Sequence, residues 1–315
     1  MKQEIINEIE KYPIITVFRH QHPDADALGS QFGLVSWLKR RYPEKRIIAM
    51  GAHRGSSPHL FGIYEAISDE DVQKSLAIIN DVANADRIDD ERFKIASKRI
   101  KIDHHPFVEV YADIEWIDEK AASTSELITE LINHFQKDAL DEDTANYLYL
   151  GILADTLRFS TRNTRPQTLE MAAFLLKSHI NLGQLNDELF ALSKEELDFT
   201  TFIREKAIYD HNLVYIIIKQ ADLEAFKIKQ AIAKEKIYEL GLVRETEIWA
   251  MFIEQSESEG GLYNGSLRSR HKTVNDIARM FKGGGHVLAA AVKGLKFEEI
   301  ETVLDLLRKR IKETA

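Results

Sequence analysis

Cysteine is absent from the 315 residues. Disulfide frameworks, thiolate zinc sites and thiol nucleophiles go with it, so any metal ion held here is held by imidazole and carboxylate. Long apolar runs are also missing. The opening MKQEIINEIEKYP is charged and has no signal-like apolar core, and no stretch approaches the length of a membrane span; the expectation is a cytoplasmic protein with no membrane partner. Positive charge is in short supply, with 42 Lys and Arg against 51 Asp and Glu for a formal net charge of −9. Coating a long duplex needs many cationic contacts to phosphate, which this balance argues against. A small or short phosphorylated ligand needs only a metal site and a few arginines. There is no internal repeat or low-complexity segment, and the glycines form one true cluster, Gly283-Gly284-Gly285.

What is present is a chain long enough, at 44% hydrophobic residues, to bury two cores. Short apolar runs at 13–19, 46–50, 75–80, 99–102 and 114–117 read as buried strands. Helical patterns cover 26–41, 123–136, 141–153 and 167–179. Strands alternating with helices predict an α/β fold with a parallel sheet. A charge-rich helical stretch follows as a connector. Beyond it come strands at 213–218, 247–253 and 262–269, a helix near 227–239, the GGGH sequence before an Ala-rich strand, and an amphipathic helix at 297–311. The predicted organisation is a larger parallel-sheet N-terminal domain over 1–184, a helical linker over 185–206 and a smaller α/β C-terminal domain over 207–315.

The chemistry-bearing residues fall at strand ends. His20, Asp24 and Asp26 follow the first strand, Asp81 follows the third, and Asp103-His104-His105 follows the fourth. Asp155 follows the apolar run 147–153, a helix or buried segment. Ligands of open α/β sheets bind at the carboxyl ends of strands, so a parallel topology brings these residues together. Singly, Asp24 or Asp81 reads as a helix cap or turn residue; jointly, seven such residues at strand ends are not independent caps. His22 reads as a surface loop residue. Asp and His without sulfur favour Mn²⁺, Mg²⁺, Fe or Zn²⁺, and the mixed shell leans towards Mn²⁺. Two ions sharing a carboxylate suit in-line attack on phosphorus, so the set predicts hydrolysis of a phosphoester.

HQHPDAD (20–26), NDVAN (80–84), DHH (103–105) and GILADT (151–156), in this order, resemble the four motifs of the DHH phosphoesterase family. GSLRSR (265–270) and GGGH (283–286) resemble the associated C-terminal domain of the branch that includes nano-RNases. The resemblance spans essentially the whole chain and implies two divalent cations, Mn²⁺ in preference to Mg²⁺ or Co²⁺. His20, Asp24 and Asp81 would hold one; Asp26, Asp81, His104 and Asp155 would hold the other, with Asp81 bridging. Asp103 would orient a histidine or the attacking water, and His105 would face the scissile phosphate. Arg268, Ser269 and the Gly284-Gly285-His286 turn would grip the distal nucleotide, with Arg87 and Arg158 as lesser candidates for neutralising substrate charge.

The resemblance further implies hydrolysis of short RNA oligonucleotides to mononucleotides and removal of the 3′-phosphate of pAp, with a homodimer compatible. The alternatives are a cyclic- or linear-dinucleotide phosphodiesterase of the same family and a non-catalytic nucleotide sensor. Val82, Leu157 and Ala291 depart from the family pattern. At Leu157, where a Gly is common, a branched side chain predicts a backbone that avoids positive φ. Gly29-Ser30 is expected to let the first long helix start close beneath the site.

Overall fold

The computed structural model describes residues 1–55, 58–256 and 260–313. The chain forms two compact units, Met1–Ala191 and Leu192–Ala315. The first contains, in order, α1 (Lys2–Lys11), β1 (Ile14–Phe18), α2 (Ala25–Arg41), β2 (Arg46–Ala49), α3 (Asp69–Gln73), β3 (Leu76–Asn80), β4 (Lys98–Asp103), β5 (Ile114–Ile117), α4 (Thr124–Phe135), α5 (Glu142–Asp155), α6 (Pro166–Leu176) and α7 (Leu182–Phe190). Its five strands pair in parallel in the order β2-β1-β3-β4-β5. The order reverses between β1 and β3, and the crevice beyond the carboxyl ends of two such strands is where open α/β sheets bind ligands.

The strands are rich in apolar residues because both faces of the sheet are covered, although β4 carries Lys98, Arg99, Lys101 and Asp103. Leu76 and Ile78 of β3 join Ile15, Val17, Ile100 and Ile102 in the core beneath α1, α2, α4 and α5. Ala77 and Ile79 face the other way, with Phe18, Val72, Ile88 and Phe93. The charged opening segment is itself a helix, α1, whose Ile5 and Ile9 are fully buried at helical spacing.

Gly29 and Ser30 lie inside α2, which already begins at Ala25, rather than at its start. The glycine serves close packing instead. A β-carbon at Gly29 would fall 2.5 Å from the Tyr147 carbonyl oxygen of α5.

The 185–206 stretch is not one connector. Leu185 on α7 packs into the first unit's core, whereas Phe199 and Ile203 on α8 (Lys194–Lys206) are buried in the second unit. The second unit continues with β6 (Ile208–Asp210), β7 (Leu213–Ile218), α9 (Gln220–Phe226), α10 (Gln230–Glu235), β8 (Ile248–Glu254), β9 (Tyr263–Ser269), α11 (Asn275–Met280), β10 (Gly284–His286), β11 (Ala289–Leu295) and α12 (Phe297–Lys312). Its sheet runs β10-β11-β9-β8-β7-β6, with β7 and β8 parallel and the other pairs antiparallel.

Strand β7 shows the period of two. Leu213 and Tyr215 meet α12 through Ile300, Val303 and Leu304, while Val214, Ile216 and Ile218 meet Phe199, Leu223 and Ile237. The helix expected near 227–239 is one short helix, α10, followed by a 3-10 stretch, Lys236–Leu242, and Lys227 at its start caps the preceding α9 in the left-handed region at φ 56°. No helix among the described residues is long and apolar enough to cross a membrane.

Intrinsic propensity favours Ala over Gly in a helix by up to about 1 kcal/mol, so Gly183, in the exposed first turn of α7, and Gly29, packed inside α2, should separate. Gly183→Ala, exposed on α7 with only an ordinary contact at 3.5 Å, raises the urea midpoint slightly. Gly29→Ala lowers it by the equivalent of about 1–3 kcal/mol, the cost of overpacking. Equal shifts of the same sign would contradict the close-packing role.

Candidate metal centre

The loop leaving β1 is set by an arginine that the sequence reading passed over. Arg19 is fully buried; it pairs with Asp89 at 2.5 Å and donates to the carbonyl of His20 at 2.9 Å, to the Tyr64 hydroxyl and to the His53 carbonyl. The His20 Nδ1 lies 2.6 Å from the Gln21 carbonyl. Its Nε2 is thereby left facing Asp81 at 3.4 Å and Asp24 at 3.8 Å. Asp24 serves twice: one oxygen caps α2, accepting from Asp26 N–H and Ala27 N–H, and the other faces His20.

Asp26 is buried on the first turn of α2, and both its oxygens receive the first N–H groups of α4, Thr124 at 2.7 Å and Ser125 at 2.8 Å. A carboxylate at a helix N-terminus meets free donors and the positive end of the dipole. Gly151 leaves room for this arrangement, since a β-carbon there would lie 2.0 Å from Ser125 Oγ and 2.9 Å from Asp26 Oδ1. Asp81 follows β3 in the left-handed region at φ 62° and accepts from the Thr124 hydroxyl at 3.0 Å.

His104 places Nε2 3.5 Å from both Asp81 and Asp155 and 4.0 Å from Asp26. His105 turns Nδ1 to Asp103 at 2.8 Å, and the same Asp103 oxygen accepts its main-chain N–H. Three donor groups therefore form among the described residues: His20, Asp24 and Asp81; Asp26, His104 and Asp155; and Asp81, His104 and His105. In each, the donor atoms lie within 4.8 Å of one another.

The electrostatics of these groups call for cations. Burial first, then the neighbouring Asp81, pushes the Asp26 carboxyl up to about 7. Burial and the Asp26, Asp24 and Asp81 charges raise Asp155 well above the usual carboxylate range. Burial opposes the charged imidazole of His20, but Asp24 and Asp81 outweigh it and push the group up to about 10. Mutually repelling carboxylates beside imidazoles, all hard or borderline donors, fit divalent ions of the Mn²⁺, Mg²⁺ or Zn²⁺ kind.

The expected backbone at Leu157 is overturned. Its φ is 44°, and Arg158 and Phe159 follow at 61° each. The helix end supplies the reason. Leu157 N–H bonds to the Ala154 carbonyl and Arg158 N–H to that of Leu153, each at 3.0 Å, the pattern of a Schellman cap. The Thr156 hydroxyl donates to the Ile152 carbonyl at 2.7 Å and accepts from Phe159 N–H at 3.0 Å. These bonds offset the roughly 1–2 kcal/mol that each left-handed residue costs. Arg158 is carried over the Phe190 ring at 4.1 Å and, among the described residues, forms no ion pair with the carboxylates. Arg87 also pairs with none, although its charge bears on His105. His22 is exposed, its ring 4.9 Å from that of His53.

In the second unit, His286, Ala289 and Arg268 stand on one row across β10, β11 and β9. Directly paired residues share a face, so Arg268 and His286 flank a small alanine. Arg268 donates to the Leu267 and Ala290 carbonyls and, among the described residues, pairs with no carboxylate; burial lowers its pKa. Ser269 is not brought to this row. It points to the opposite face, and its Oγ accepts from His271 and Lys272 N–H groups. GGGH forms an edge strand rather than a turn. A β-carbon at Gly283 would strike the Ala291 carbonyl at 1.9 Å, and Gly285 has φ 131°, but nothing lies within 4 Å of one at Gly284.

The sequence and fold match known proteins. The DHH family, N-terminal domain, matches residues 14–152, and the DHHA1 domain matches residues 212–313; this chain belongs to the DHH family. It is 33% identical to the bifunctional oligoribonuclease and PAP phosphatase NrnA of Bacillus subtilis, covering 99% of each chain. It is also 33% identical to the probable bifunctional oligoribonuclease and PAP phosphatase NrnA of Streptococcus mutans, covering 98% of each. The crystal structure of an exopolyphosphatase-related protein from Bacteroides fragilis shares the fold, with a TM-score of 0.86 at 21% identity over 99% of this chain and 97% of that one.

Protein stripped of divalent ions by a chelator should lose stability as pH rises. The Asp26 pKa is raised from 3.8 to about 7, so the folded state holds a proton that the unfolded state releases, and stability falls across that interval. The stabilisation from His20, raised from 6.5 to about 10, is complete below 6.5 and is lost as pH rises through about 10. Both slopes have the same sign. Urea midpoints that climbed between pH 4 and 7 in chelator would contradict this charge balance, and Asp26→Asn should flatten the first slope.

Proposed function

We propose that this chain is a metal-dependent phosphoesterase that hydrolyses short oligoribonucleotides to mononucleotides and removes the 3′-phosphate of pAp to give AMP. The observation that carries the reading is the meeting of two donor groups at one carboxylate: His20 reaches one oxygen of Asp81 at 3.4 Å and His104 the other at 3.5 Å. His20, Asp24 and Asp81 would hold one ion, and Asp26, His104, Asp155 and Asp81 the other, with Mn²⁺ the preferred metal. Two divalent ions so placed supply an activated water and neutralise charge developing on phosphorus.

The chain's own residues do the rest. Asp103 fixes the His105 ring through Nδ1; this is the carboxylate-oriented imidazole common beside metal sites, and the ring would face the scissile phosphate. Arg268 offers a guanidinium that no carboxylate among the described residues has claimed, suited to a second phosphate. Its row partner His286 and the open backbone at Gly284 let a phosphate approach closely. Ser269 shapes the turn after β9. Selection of short substrates follows from gripping a terminal phosphate with a few residues, and the acidic net charge is no obstacle to it. The activities in the names of the Bacillus subtilis and Streptococcus mutans relatives support the same substrates.

The test is a substrate panel with Mn²⁺: labelled RNA dimer to pentamer, pAp and cyclic dinucleotides. Mononucleotides and inorganic phosphate are expected from the first two. Asp103→Ala and His104→Ala should abolish turnover while circular dichroism stays unchanged, and Arg268→Ala should raise KM about tenfold or more with a smaller change in kcat. Turnover confined to cyclic dinucleotides would replace this reading with the dinucleotide phosphodiesterase, and binding without turnover would replace it with a sensor.

A further inference from the structure

Beneath the metal centre lies a second buried charge that the site described above does not use. Lys101, on β4 two residues before Asp103, is fully buried, as is Asp103. Residues two apart on a strand share a face, and the Lys101 Nζ lies 3.5 Å from Asp103 Oδ2. That oxygen accepts no hydrogen bond, because the donors from His105 both fall on Oδ1. The Nζ also donates to the Ala83 carbonyl at 3.0 Å and sits 4.6 Å from the centre of the Tyr111 ring. Tyr111 is held in turn by its hydroxyl, which donates to the Val82 carbonyl at 2.5 Å. Glu115 is the strand partner of Lys101 on β5, but its carboxylate accepts from the Tyr111 and Ala112 N–H groups.

We infer that Lys101 is a positioning residue: its buried ammonium, seated on the Ala83 carbonyl and the Tyr111 ring, balances Asp103 from behind and so fixes the His105 imidazole over the metal centre. A buried carboxylate oxygen left without a partner is costly, and movement of the side chain to relieve that cost would loosen its hold on the His105 Nδ1–H. A buried lysine for general packing would be a poor choice, since an apolar side chain fills the same volume without losing hydration. Here the lysine faces the one oxygen of Asp103 that has no other partner.

The inference rests on the phosphoesterase reading for its activity arm only. In that arm, Lys101→Met lowers kcat about 10–100-fold, the range for partners behind metal-site residues, with little change in KM or Mn²⁺ affinity. The same substitution in an Asp103→Asn background changes kcat by no more than about twofold. The second arm needs no turnover: a hydrogen-bonded Nδ1–H of His105 in the ¹H–¹⁵N spectrum of the metal-free protein is present in the parent and absent in K101M. Where K101M alone does not fold, the pair D103N and K101M/D103N decides, because it removes both buried charges together. Loss of kcat by the same factor in both backgrounds, or an unchanged His105 resonance in K101M, overturns the inference. A parent inactive on every substrate overturns the function and leaves the resonance to judge Lys101.

Discussion

The arrangement depends on one bifurcated contact, the Asp26 carboxylate across the N-terminus of α4. Two short N–H bonds fix both oxygens of a buried side chain and join the end of β1 to a helix almost a hundred residues later. Asp81, His104 and Asp155 are then arranged around a group that has no freedom to swing. The same carboxylate would prefer to be protonated when no ion is near, since burial and Asp81 both work against its charge. The scaffold therefore holds an unfavourable charge density in place, which is the preorganisation a metal site needs. The packing of α2 on α5, close enough that Gly29 cannot carry a β-carbon, keeps the two ends of the cluster together.

The sequence made the strands and the cluster legible for the same reason: a parallel sheet buried on both faces writes itself as apolar runs, and the ligating residues follow those runs directly. His20, Asp81 and Asp103 could be found by asking what comes after each run. The supporting residues left no such mark. Arg19 and Lys101 are charges inside strands or at their ends, and their partners, Asp89 and the Tyr111 ring, are set by tertiary contacts that no local pattern records. A buried cation in an apolar run is the signal that could have found both.

The second unit was less legible. Local rules place a helix over 227–239, yet Lys227 takes a left-handed conformation, and only Gln230–Glu235 is α-helical there before a 3-10 stretch. Ser269 looks like a neighbour of Arg268 in sequence, but strand alternation sends the two to opposite faces. Leu157 shows the same limit: steric preference forbids what a network of helix-end hydrogen bonds enforces.

Because Asp26 starts α2 and Asp155 ends α5, the spacing of these two carboxylates is a distance between two packed helices rather than a property of any loop. The exposed Phe107, Val108 and Val110 contribute no atom to that distance. Their side chains can change without moving these two carboxylates. The spacing of that pair is thus preserved by helix packing, whatever the neighbouring loop carries.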